Sequence, residues 1–523
     1  MPLAGTLTRF DPAAARRSVF QALLDARAEH GGDSIAMVDG DDRALSYDAI
    51  IRAAFALGSA LTRGTRAGEC VGVMLPTGAA GAIAFYSLSA YGRVPTMLNF
   101  TSGTAALKSA LTTACVRRVV TARRLVDKAG LGDVIEALSD FEVVYLEDVR
   151  DKLSLADKLA AVAGKFVPRL VTARSRPDDT AVILFTSGTE GQPKGVALSH
   201  ENILANVAQV RDRFAHSRED IMFNPLPVFH CFGLVGGTIL PLIAGIKVVC
   251  HPTPLAPKDI VRRIRAHSAT ILLSTDTFIN QYARSCDAGD MDSLRVAVCG
   301  AERLRDETRI TLRKKSTVTL VEGYGVTETS PVAALNTLED NHPGKVGRIM
   351  AGMEAKLEPV EGIHGAGQLH LRGPNIMQGY IKPDAPGVIV PPPDGWHNTG
   401  DIAAIDDDGF IAIRGRLKRF AKIGGEAVSL AVVENIAAAL WPDYSHAAVA
   451  LPDGRKGEKI VLVTTAPDAR RTDMIGWAQN HGVAELSVPR ELVLAQSIPM
   501  LATGKTDYVS VQKMAEAEQG AAS

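Results

Sequence analysis

Short apolar segments alternate with longer amphipathic ones in the first third of this 523-residue chain, and this alternation most constrains its fold. The short segments have the length of strands, whereas the longer ones repeat their apolar residues with the period of a helix. The segments are residues 34–38, 47–61, 70–75, 79–91, 118–121 and 142–146. Such alternation favours βαβ units, so we predict an α/β fold built on mostly parallel sheets.

One polar, glycine-rich stretch is the strongest motif in the sequence. It runs from Thr186 to Gly195 (TSGTEGQPKG) and directly follows the apolar residues 181–185, which we predict to be a buried strand. Glycines let backbone N–H groups approach an anion, Ser and Thr hydroxyls add donors, and Lys194 adds a positive charge. A plain turn between two strands would not need all of these groups, so we interpret the stretch as a phosphate-binding loop.

This loop is not the P-loop, whose pattern is G-x-x-x-x-G-K-[ST]. Counted from Gly188, the second glycine position holds Pro193, and Lys194 is followed by Gly195. The pattern [ST]-S-G-[ST]-x-G-x-P-K-G fits throughout, and in it the chain resembles the adenylate-forming enzymes: acyl-CoA synthetases, luciferases and peptide-synthetase adenylation domains. The resemblance implies that the loop binds ATP through Thr186, Ser187, Gly188, Thr189, Gly191 and Lys194.

A second strong motif of this family is YGVTE, residues 324–328. An aromatic face suits stacking on a purine, a hydroxyl suits a phosphate oxygen, and a carboxylate suits Mg²⁺. The resemblance therefore implies that Tyr324 and Gly325 belong to the nucleotide site. It also implies that Thr327 and Glu328 are catalytic, with Glu328 as the Mg²⁺ ligand.

Two weaker signals acquire a role only through the resemblance. His230 lies in FHCF, where the family places an aromatic residue or a His near the substrate carboxylate. By itself, a His beside two Phe is more often a packed core residue. Gly300, Ala301 and Glu302 match the segment that lies along adenine.

The C-terminal part carries the family's remaining motifs. Asp401, in T-G-D, resembles the aspartate that binds the ribose, and Arg416 matches the arginine that also contacts it. Lys418 matches the family's hinge position. A lysine on a loop is usually only solvated, but the context P-x-x-x-x-G-K makes Lys505 resemble the catalytic lysine of the family.

A change in composition after Gly415 indicates the domain organisation. The basic residues 416–422 precede Gly424 and Gly425, which favours a flexible connection. We predict an N-terminal AMP-binding domain, residues 1–415, that ends in a small β subdomain, and a mobile α+β domain, residues 416–523. The resemblance implies that the second domain swings about Lys418 between two half-reactions.

Some details resemble one branch of the family, the acyl-acyl carrier protein synthetase half of the bifunctional 2-acylglycerophosphoethanolamine acyltransferase. They are Glu190, where most of the superfamily has Ser or Thr, and the runs 226–234, 371–380 and 419–430. The bifunctional protein also has an acyltransferase with an H-x-x-x-x-D motif. None of the twelve histidines here has Asp five positions later, so we expect this chain to lack that half.

The resemblance implies ATP- and Mg²⁺-dependent activation of a long-chain fatty acid to acyl-AMP, followed by transfer to the phosphopantetheine thiol of acyl carrier protein. Two alternatives stay open: a CoA ligase with the same first half-reaction, and a non-catalytic protein that binds acyl groups or AMP. We expect parts of residues 229–245 and 274–282 to line the acyl tunnel. The glycines within residues 231–246 favour close packing or a lined cavity there.

Charge and composition exclude other classes of function and suggest a location. A net charge of −1 gives no electrostatic basis for nucleic-acid binding. The six cysteines form no C-x-x-C pair, so we expect neither a zinc site nor disulfides, and a reducing compartment. The N-terminal segment has no apolar core, so we expect no signal peptide and a cytoplasmic location.

Residues 151–171 are amphipathic and have two interpretations. Lysines and Arg169 alternate with Leu153, Leu155, Leu159 and Phe166. We interpret the segment as an ordinary surface helix of the domain. A helix that lies on a membrane surface is the alternative, because the expected substrate is a fatty acid.

Overall fold

The computed structural model describes residues 3–4, 10–187, 193–423, 426–453, 457–500 and 506–522. These form two compact units. The larger unit comprises residues 3–354 and 372–397, and the smaller comprises residues 355–371 and 398–523. The fold is α/β, as predicted, with a large N-terminal part of mixed sheets and a C-terminal part. The predicted boundary at residue 416 and the predicted hinge stay predictions.

Two mixed sheets form the framework of the larger unit. The first has the order Arg348–Ile349, Val332–Leu335, Thr319–Gly325, Val296–Cys299, Ile271–Ser274, Ile221–Asn224, Lys247–Cys250, Ile35–Val38 and Ala44–Ser46. The second has the order Ala385–Val390, Gly379–Lys382, Pro193–Ser199, Thr180–Ser187, Val94–Met97, Cys70–Val73, Arg118–Thr121 and Glu142–Tyr145. The central strands of both sheets run parallel, and antiparallel strands extend them, which confirms the predicted βαβ arrangement.

Helices of the larger unit connect these strands. The longer ones are Val19–His30, Tyr47–Leu61, Ala79–Ala90, Thr104–Thr113, Leu155–Phe166, His200–Arg213, Phe232–Ile239, Pro257–Ala266, Asp276–Ser285 and Asp306–Arg313. The shorter ones are Pro12–Ala15, Arg123–Ala129, Gly132–Ala137, Leu146–Asp151, Pro168–Val171, Leu240–Ala244, Thr327–Thr329 and Pro393–Gly395, and Leu3–Ala4 is a short strand. Within the part of the chain that the structure describes, no helix is long and apolar enough to cross a membrane.

Serine side chains begin several of these helices, because a hydroxyl can accept a hydrogen bond from a free backbone N–H of the first turn. Ser18 does so for Val19–His30, which is why the helix starts there and only a short turn precedes it. Ser199 ends the strand after the phosphate loop and at once caps His200–Arg213. The chain therefore leaves the loop through a strand and a helix whose junction is fixed by one side chain.

The apolar faces of strands and helices meet in the interior of the larger unit. One core cluster joins both neighbours of the phosphate loop to the central strands, and its fully buried members include Met74, Leu98, Ile183, Ala197 and Ile381. Phe20 and Phe55 contact edge to face, with ring centroids 5.3 Å apart. The loop thus lies between strands that are anchored in the core.

The smaller unit is α+β. One sheet has the strands Glu354–Glu358, Gly367–Arg372, His397–Ile405 and Ile411–Arg416, in that order. A second sheet has the order Glu426–Ser429, Phe420–Ile423, Gly457–Thr464 and His446–Asp453, and Glu491–Leu494 also pairs with Gly457–Thr464. The helices Leu430–Leu440, Arg471–Asn480 and Tyr508–Ala522 and the turns Leu417–Arg419 and Glu485–Ser487 complete this unit.

Candidate active site

The predicted phosphate loop connects two antiparallel strands. Thr180–Ser187 precedes it and Pro193–Ser199 follows it, with Thr186 opposite Lys194 in the register. The expectation of a buried strand before the loop is confirmed, since residues 181–184 are buried. Gly188, Thr189, Glu190 and Gly191 lie outside the described residues.

Lys194 lies against an aromatic ring on the adjacent strand. Its Nζ is 4.3 Å from the ring centroid of Tyr380, close enough for a cation–π interaction. Tyr380 belongs to Gly379–Lys382, which pairs with Pro193–Ser199 and places Tyr380 opposite Val196. The ammonium group of Lys194, at the end of the loop, therefore lies against the Tyr380 ring.

Tyr380 also connects this strand to the YGVTE motif. Its hydroxyl donates a hydrogen bond to Oε1 of Glu328, over 2.6 Å. Glu328 is only 8% exposed, and its backbone carbonyl accepts a hydrogen bond from Met377 N–H. The Glu328 carboxylate is thus held on one oxygen, and among the described residues none donates to Oε2.

The chain folds sharply around the YGVTE motif because it carries a glycine. A Cβ on Gly325 would lie 1.7 Å from the carbonyl oxygen of Pro331, so no larger residue fits without a backbone shift. The strand Thr319–Gly325 ends there, and Thr327 and Glu328 follow on a short turn. Tyr324 and Thr327 are partly exposed, as a ligand contact requires.

The segment predicted to lie along adenine adjoins this motif. Val296–Cys299 and Thr319–Gly325 are parallel neighbours with Cys299 opposite Glu322, so residues 300–302 and 323–325 leave the same edge of the sheet. Ala301 has a left-handed backbone, with φ of 67°, which is uncommon for a residue with a side chain. The structure thus brings both predicted nucleotide-binding segments together.

Within the first segment, Glu302 is held in place rather than free to turn toward solvent. Its carboxylate accepts hydrogen bonds from the backbone N–H of Thr277, over 3.0 Å, and from the Thr277 hydroxyl, over 2.8 Å. Gly300 is buried, and a Cβ there would lie 3.6 Å from the carbonyl oxygen of Gly323. The two segments therefore approach each other closely.

His230 lies just before the helix Phe232–Ile239. Its ring is 4.8 Å from that of Phe229, centroid to centroid. The next residue, Cys231, is fully buried, and both this burial and the negative charge of Glu328 raise its pKa well above the usual value. His230 is therefore adjacent in the chain to a cysteine whose pKa is raised by the Glu328 carboxylate.

An apolar cavity lies behind this edge of the first sheet. Part of its wall comes from the predicted tunnel segment, through Phe232, Val235, Gly236, Leu240 and Ala244. Residues 274–282, the other predicted part, do not line it. The remaining lining comes mainly from the helix His200–Arg213, from Pro331, and from residues of neighbouring strands, such as Leu273, Val298, Val332 and Leu335.

The smaller unit places two further candidates side by side. Asp401 and Arg416 are directly opposite each other on paired strands, and Arg416 Nε is 3.0 Å from Asp401 Oδ1. Asp401 is buried, whereas Arg416 is exposed. Lys418 is exposed on the turn that follows, and Lys505 lies outside the described residues.

Glu328 fits a magnesium ion that is shared with a phosphate-bearing substrate. Its Oε1 is oriented by Tyr380, which leaves Oε2 as a possible oxygen ligand. Over the described residues, no group of three or more His, Cys, Asp or Glu side chains could hold a metal ion. Magnesium is commonly held by one or two carboxylates together with substrate phosphates, so a single carboxylate agrees with that arrangement.

Known proteins resemble this chain in sequence and in fold. A family described as AMP-binding enzyme matches residues 24–381. A long-chain-fatty-acid–CoA ligase of Salmonella typhimurium is 28% identical over 382 residues, which cover 70% of this chain and 68% of that protein.

Two solved structures share the fold over nearly the whole chain. ATP-bound MatB from Rhodopseudomonas palustris has a TM-score of 0.80 at 23% identity, covering 95% of this chain and 98% of that one. O-succinylbenzoate coenzyme A synthetase (MenE) from Bacillus subtilis, in complex with ATP and magnesium ion, has a TM-score of 0.79 at 20% identity. It covers 94% of this chain and 98% of its own length.

Proposed function

We propose that this chain, which belongs to the AMP-binding enzyme family, joins a long-chain fatty acid to a thiol in two half-reactions. In the first, a carboxylate oxygen attacks the α-phosphorus of ATP, which forms acyl-AMP and releases pyrophosphate. In the second, a thiol attacks the acyl carbon, which forms a thioester and releases AMP. The name of the Salmonella relative and the ATP in the two similar structures support this proposal.

One observation carries the proposal: the apolar cavity extends to the edge that holds the nucleotide-binding candidates. Phe232 lines the cavity, and its ring lies 3.4 Å from the position that a Cβ on Gly300 would take. Pro331, which also lines it, follows Glu328 closely in the chain. An acyl chain in the cavity would therefore present its carboxylate beside Gly300 and Glu328.

The first half-reaction brings two anions together, so the site must supply positive charge. Lys194 stands at the end of the phosphate loop, and we assign the second cation to Lys505 because its loop resembles that of the family's catalytic lysine. Glu328 would hold Mg²⁺, which neutralises phosphate charge when bound. Tyr380 orients the Glu328 carboxylate for this task.

We assign the ribose to the side chains of Asp401 and Arg416. Asp401 would accept hydrogen bonds from the sugar hydroxyls, and the Arg416 guanidinium on Oδ1 keeps that carboxylate in one orientation. Because Arg416 is exposed, it is also free to reach a ribose oxygen. A swing of residues 416–523 about Lys418 would then separate the two half-reactions.

For the thiol acceptor we propose acyl carrier protein, with CoA as the alternative. The resemblance of Glu190 and three longer runs to the carrier-protein branch supports the first, whereas the relatives' names support the second. Arg414, Lys418 and Lys422 are exposed and suit an acidic carrier protein. Arg419 is engaged internally, because it donates to Glu434 and to the Ala448 carbonyl, each over 2.6 Å.

The acceptor is tested by incubating the protein with ATP, Mg²⁺ and palmitate, and with either holo-acyl carrier protein or CoA. Mass spectrometry of the products should show acyl-carrier protein forming faster than acyl-CoA. Robust acyl-CoA formation without acylated carrier protein would identify CoA as the acceptor and would leave the proposed activation step unchanged. Absence of palmitate-dependent pyrophosphate exchange would contradict activation itself and favour the non-catalytic alternative.

A double variant tests the proposed carrier-protein surface independently of the activation step. Arg414→Gln together with Lys422→Gln should raise the KM for holo-carrier protein while pyrophosphate exchange stays at the wild-type rate. Lys513→Gln is the matched control, since Lys513 is also exposed but lies outside the basic run 414–422. An unchanged KM in the double variant would remove these residues from the acceptor site.

A further inference from the structure

A concentrated apolar surface lies on the larger unit and includes none of the candidate site residues. Large apolar side chains that are more than a third exposed cluster in residues 155–171. They are Leu155 at 74%, Leu159 at 58%, Val162 at 53%, Phe166 at 73%, Val167 at 43%, Leu170 at 83% and Val171 at 38%. Exposed apolar residues are common singly, but a contiguous group of this kind marks a surface that contacts something.

The apolar stripe of the helix Leu155–Phe166 faces solvent and not the core of the domain. Leu155, Leu159, Val162 and Phe166 are spaced by four, three and four residues, which places them within about 60° of one another around the axis. The buried residues, Asp157 and Gly164, lie roughly opposite. An ordinary surface helix buries its stripe against the domain, and here the stripe points to solvent.

This orientation is fixed by specific contacts with the helix Tyr47–Leu61. Asp157 forms an ion pair with Arg63 and accepts a hydrogen bond from the Ser59 hydroxyl over 2.7 Å. Gly164 packs so closely that a Cβ would lie 2.1 Å from the Phe55 ring. The helix therefore cannot rotate to bury its apolar stripe without breaking the ion pair of the buried Asp157 carboxylate and this close packing.

Further contacts hold the end of the helix and the turn that follows it. Arg27 donates to the backbone carbonyl of Lys165 over 3.3 Å, and Arg169 pairs with Asp25. Pro168–Val171 continues directly from the helix and exposes Leu170 on its surface. The apolar stripe and this turn form one continuous surface, which we call the 155–171 face.

Positive charges border the 155–171 face. Lys158 and Lys165 lie on one flank of the stripe, and Lys152 precedes the helix. In the described part of the chain, none of these three lysines is in an ion pair, and Lys165 Nζ is 5.6 Å from the ring centroid of Phe166. Asp157, the one acidic residue of the helix, is buried against Arg63 and does not offset them at the surface.

An apolar stripe with a lysine flank suits one occupant above others. Lysine side chains can extend along apolar surface while their ammonium groups contact lipid phosphates. A second copy of this chain would bring like charges together, which disfavours self-association through this face. We propose that the 155–171 face docks the protein on an anionic membrane surface, with the stripe inserted at the level of the headgroups.

Vesicle co-sedimentation tests the proposal with the full chain and without any substrate. The lipids are phosphatidylcholine alone, and phosphatidylcholine with one part in four of phosphatidylglycerol. We expect binding to the anionic vesicles, weaker binding to the neutral ones, and loss of binding as salt rises. This readout does not depend on catalysis, so its outcome is separate from that of the proposed function.

Two variants and a matched control assign the binding to this face. Leu159→Ser with Phe166→Ser should lower the partition coefficient at least tenfold, roughly the cost of removing two apolar side chains from the interface. Lys158→Gln with Lys165→Gln should lower it by a similar factor on anionic vesicles only. Leu494→Ser with Val509→Ser removes two comparably exposed apolar side chains elsewhere and should leave binding unchanged.

Three results would overturn the proposal. The first is no binding to either vesicle, and the second is binding that Leu159→Ser with Phe166→Ser leaves intact. The third is a dimer, seen in sedimentation velocity without lipid, that the same double variant dissociates. Because both side chains are exposed, the melting temperature of the variant should match that of the wild type and exclude unfolding as the cause.

Discussion

Tyr380 and Glu328, which are 52 residues apart in the chain, are joined by a hydrogen bond of 2.6 Å from the tyrosine hydroxyl to the carboxylate. Tyr380 lies on a strand of one sheet of the larger unit, and Glu328 lies on the turn that leaves the other sheet. The bond therefore connects the strand beside the phosphate loop to the motif that we propose to hold Mg²⁺.

Tyr380→Phe removes this bond and keeps the ring that Lys194 contacts. Hydrogen bonds to charged groups contribute about 1.5–3 kcal/mol, so we expect pyrophosphate exchange to fall roughly 10- to 100-fold. The Mg²⁺ concentration for half-maximal rate should rise, because the carboxylate loses its orientation. Tyr444→Phe, on an exposed tyrosine, is the control. An unaltered Mg²⁺ dependence would show that Tyr380 does not position Glu328.

Lys505→Ala should abolish the first half-reaction selectively. The proposed lysine neutralises charge as the carboxylate meets ATP, and a missing charge-stabilising group of this kind costs about 10²- to 10³-fold. Palmitate-dependent pyrophosphate exchange should drop by that factor, while ATP binding and thioester formation from added palmitoyl-AMP persist. Lys513→Ala is the control, on the following helix. Equal loss of both half-reactions would argue for a structural role instead.

Gly236→Leu should shorten the acyl chain that the protein accepts. Gly236 lines the cavity, and a Cβ there already lies 3.1 Å from the Phe232 ring, so a leucine must occupy cavity space. We expect kcat/KM for palmitate to fall at least tenfold, with activity toward octanoate retained. Gly236→Ala, which adds one carbon, should have a smaller effect. Equal losses for both acids would place the acyl chain elsewhere.

The motifs can be recognised in the sequence because each is a short continuous stretch. The pattern of predicted strands then places each of them at the end of a strand. Gly300 follows the strand Val296–Cys299, and Tyr324 lies near the end of the adjacent parallel strand Thr319–Gly325, so their shared edge could be predicted. The Tyr380–Glu328 bond could not, because it depends on how two sheets meet. In the sequence, Tyr380 stands out only as a member of the run 371–380, which resembles the carrier-protein branch.

Two other features show where periodicity stops being informative. The segment 274–282, which we expect to line part of the tunnel, is mostly helical and does not line the apolar cavity: Asp276 accepts from Arg305 N–H over 3.0 Å, and the Tyr282 hydroxyl donates to the Pro254 carbonyl over 2.9 Å. The segment 151–171 is amphipathic as predicted, but periodicity does not tell toward which side the stripe faces. Burial of Asp157 and Gly164 decides that, and it follows from contacts with another helix.

Gly325→Ala tests whether the tight turn of the YGVTE motif requires glycine. The added carbon would overlap the Pro331 carbonyl, so the backbone must shift, and overpacking of this kind costs about 1–3 kcal/mol of unfolding free energy. Urea denaturation measures this. Gly132→Ala is the control, because no atom lies within 4 Å of its added carbon. Equal midpoints for the two variants would show that the turn adapts.

His200 predicts how the stability of the larger unit depends on pH. Burial lowers its pKa from 6.5 to about 4, although Asp179 acts in the opposite direction, and its Nδ1 accepts a hydrogen bond from Val19 N–H over 3.1 Å. The neutral ring is therefore favoured in the folded state, so its contribution is present above pH 6.5 and is lost as the pH falls toward 4. The free energy of unfolding should decrease by up to about 3 kcal/mol over this range through His200 alone.

In His200→Asn, whose side-chain oxygen can accept the same bond, the decrease measured by urea denaturation at pH 7 and pH 4.5 should be smaller. His364→Asn, at an exposed histidine, should follow the wild type. Identical pH dependence in all three proteins would contradict a buried neutral His200.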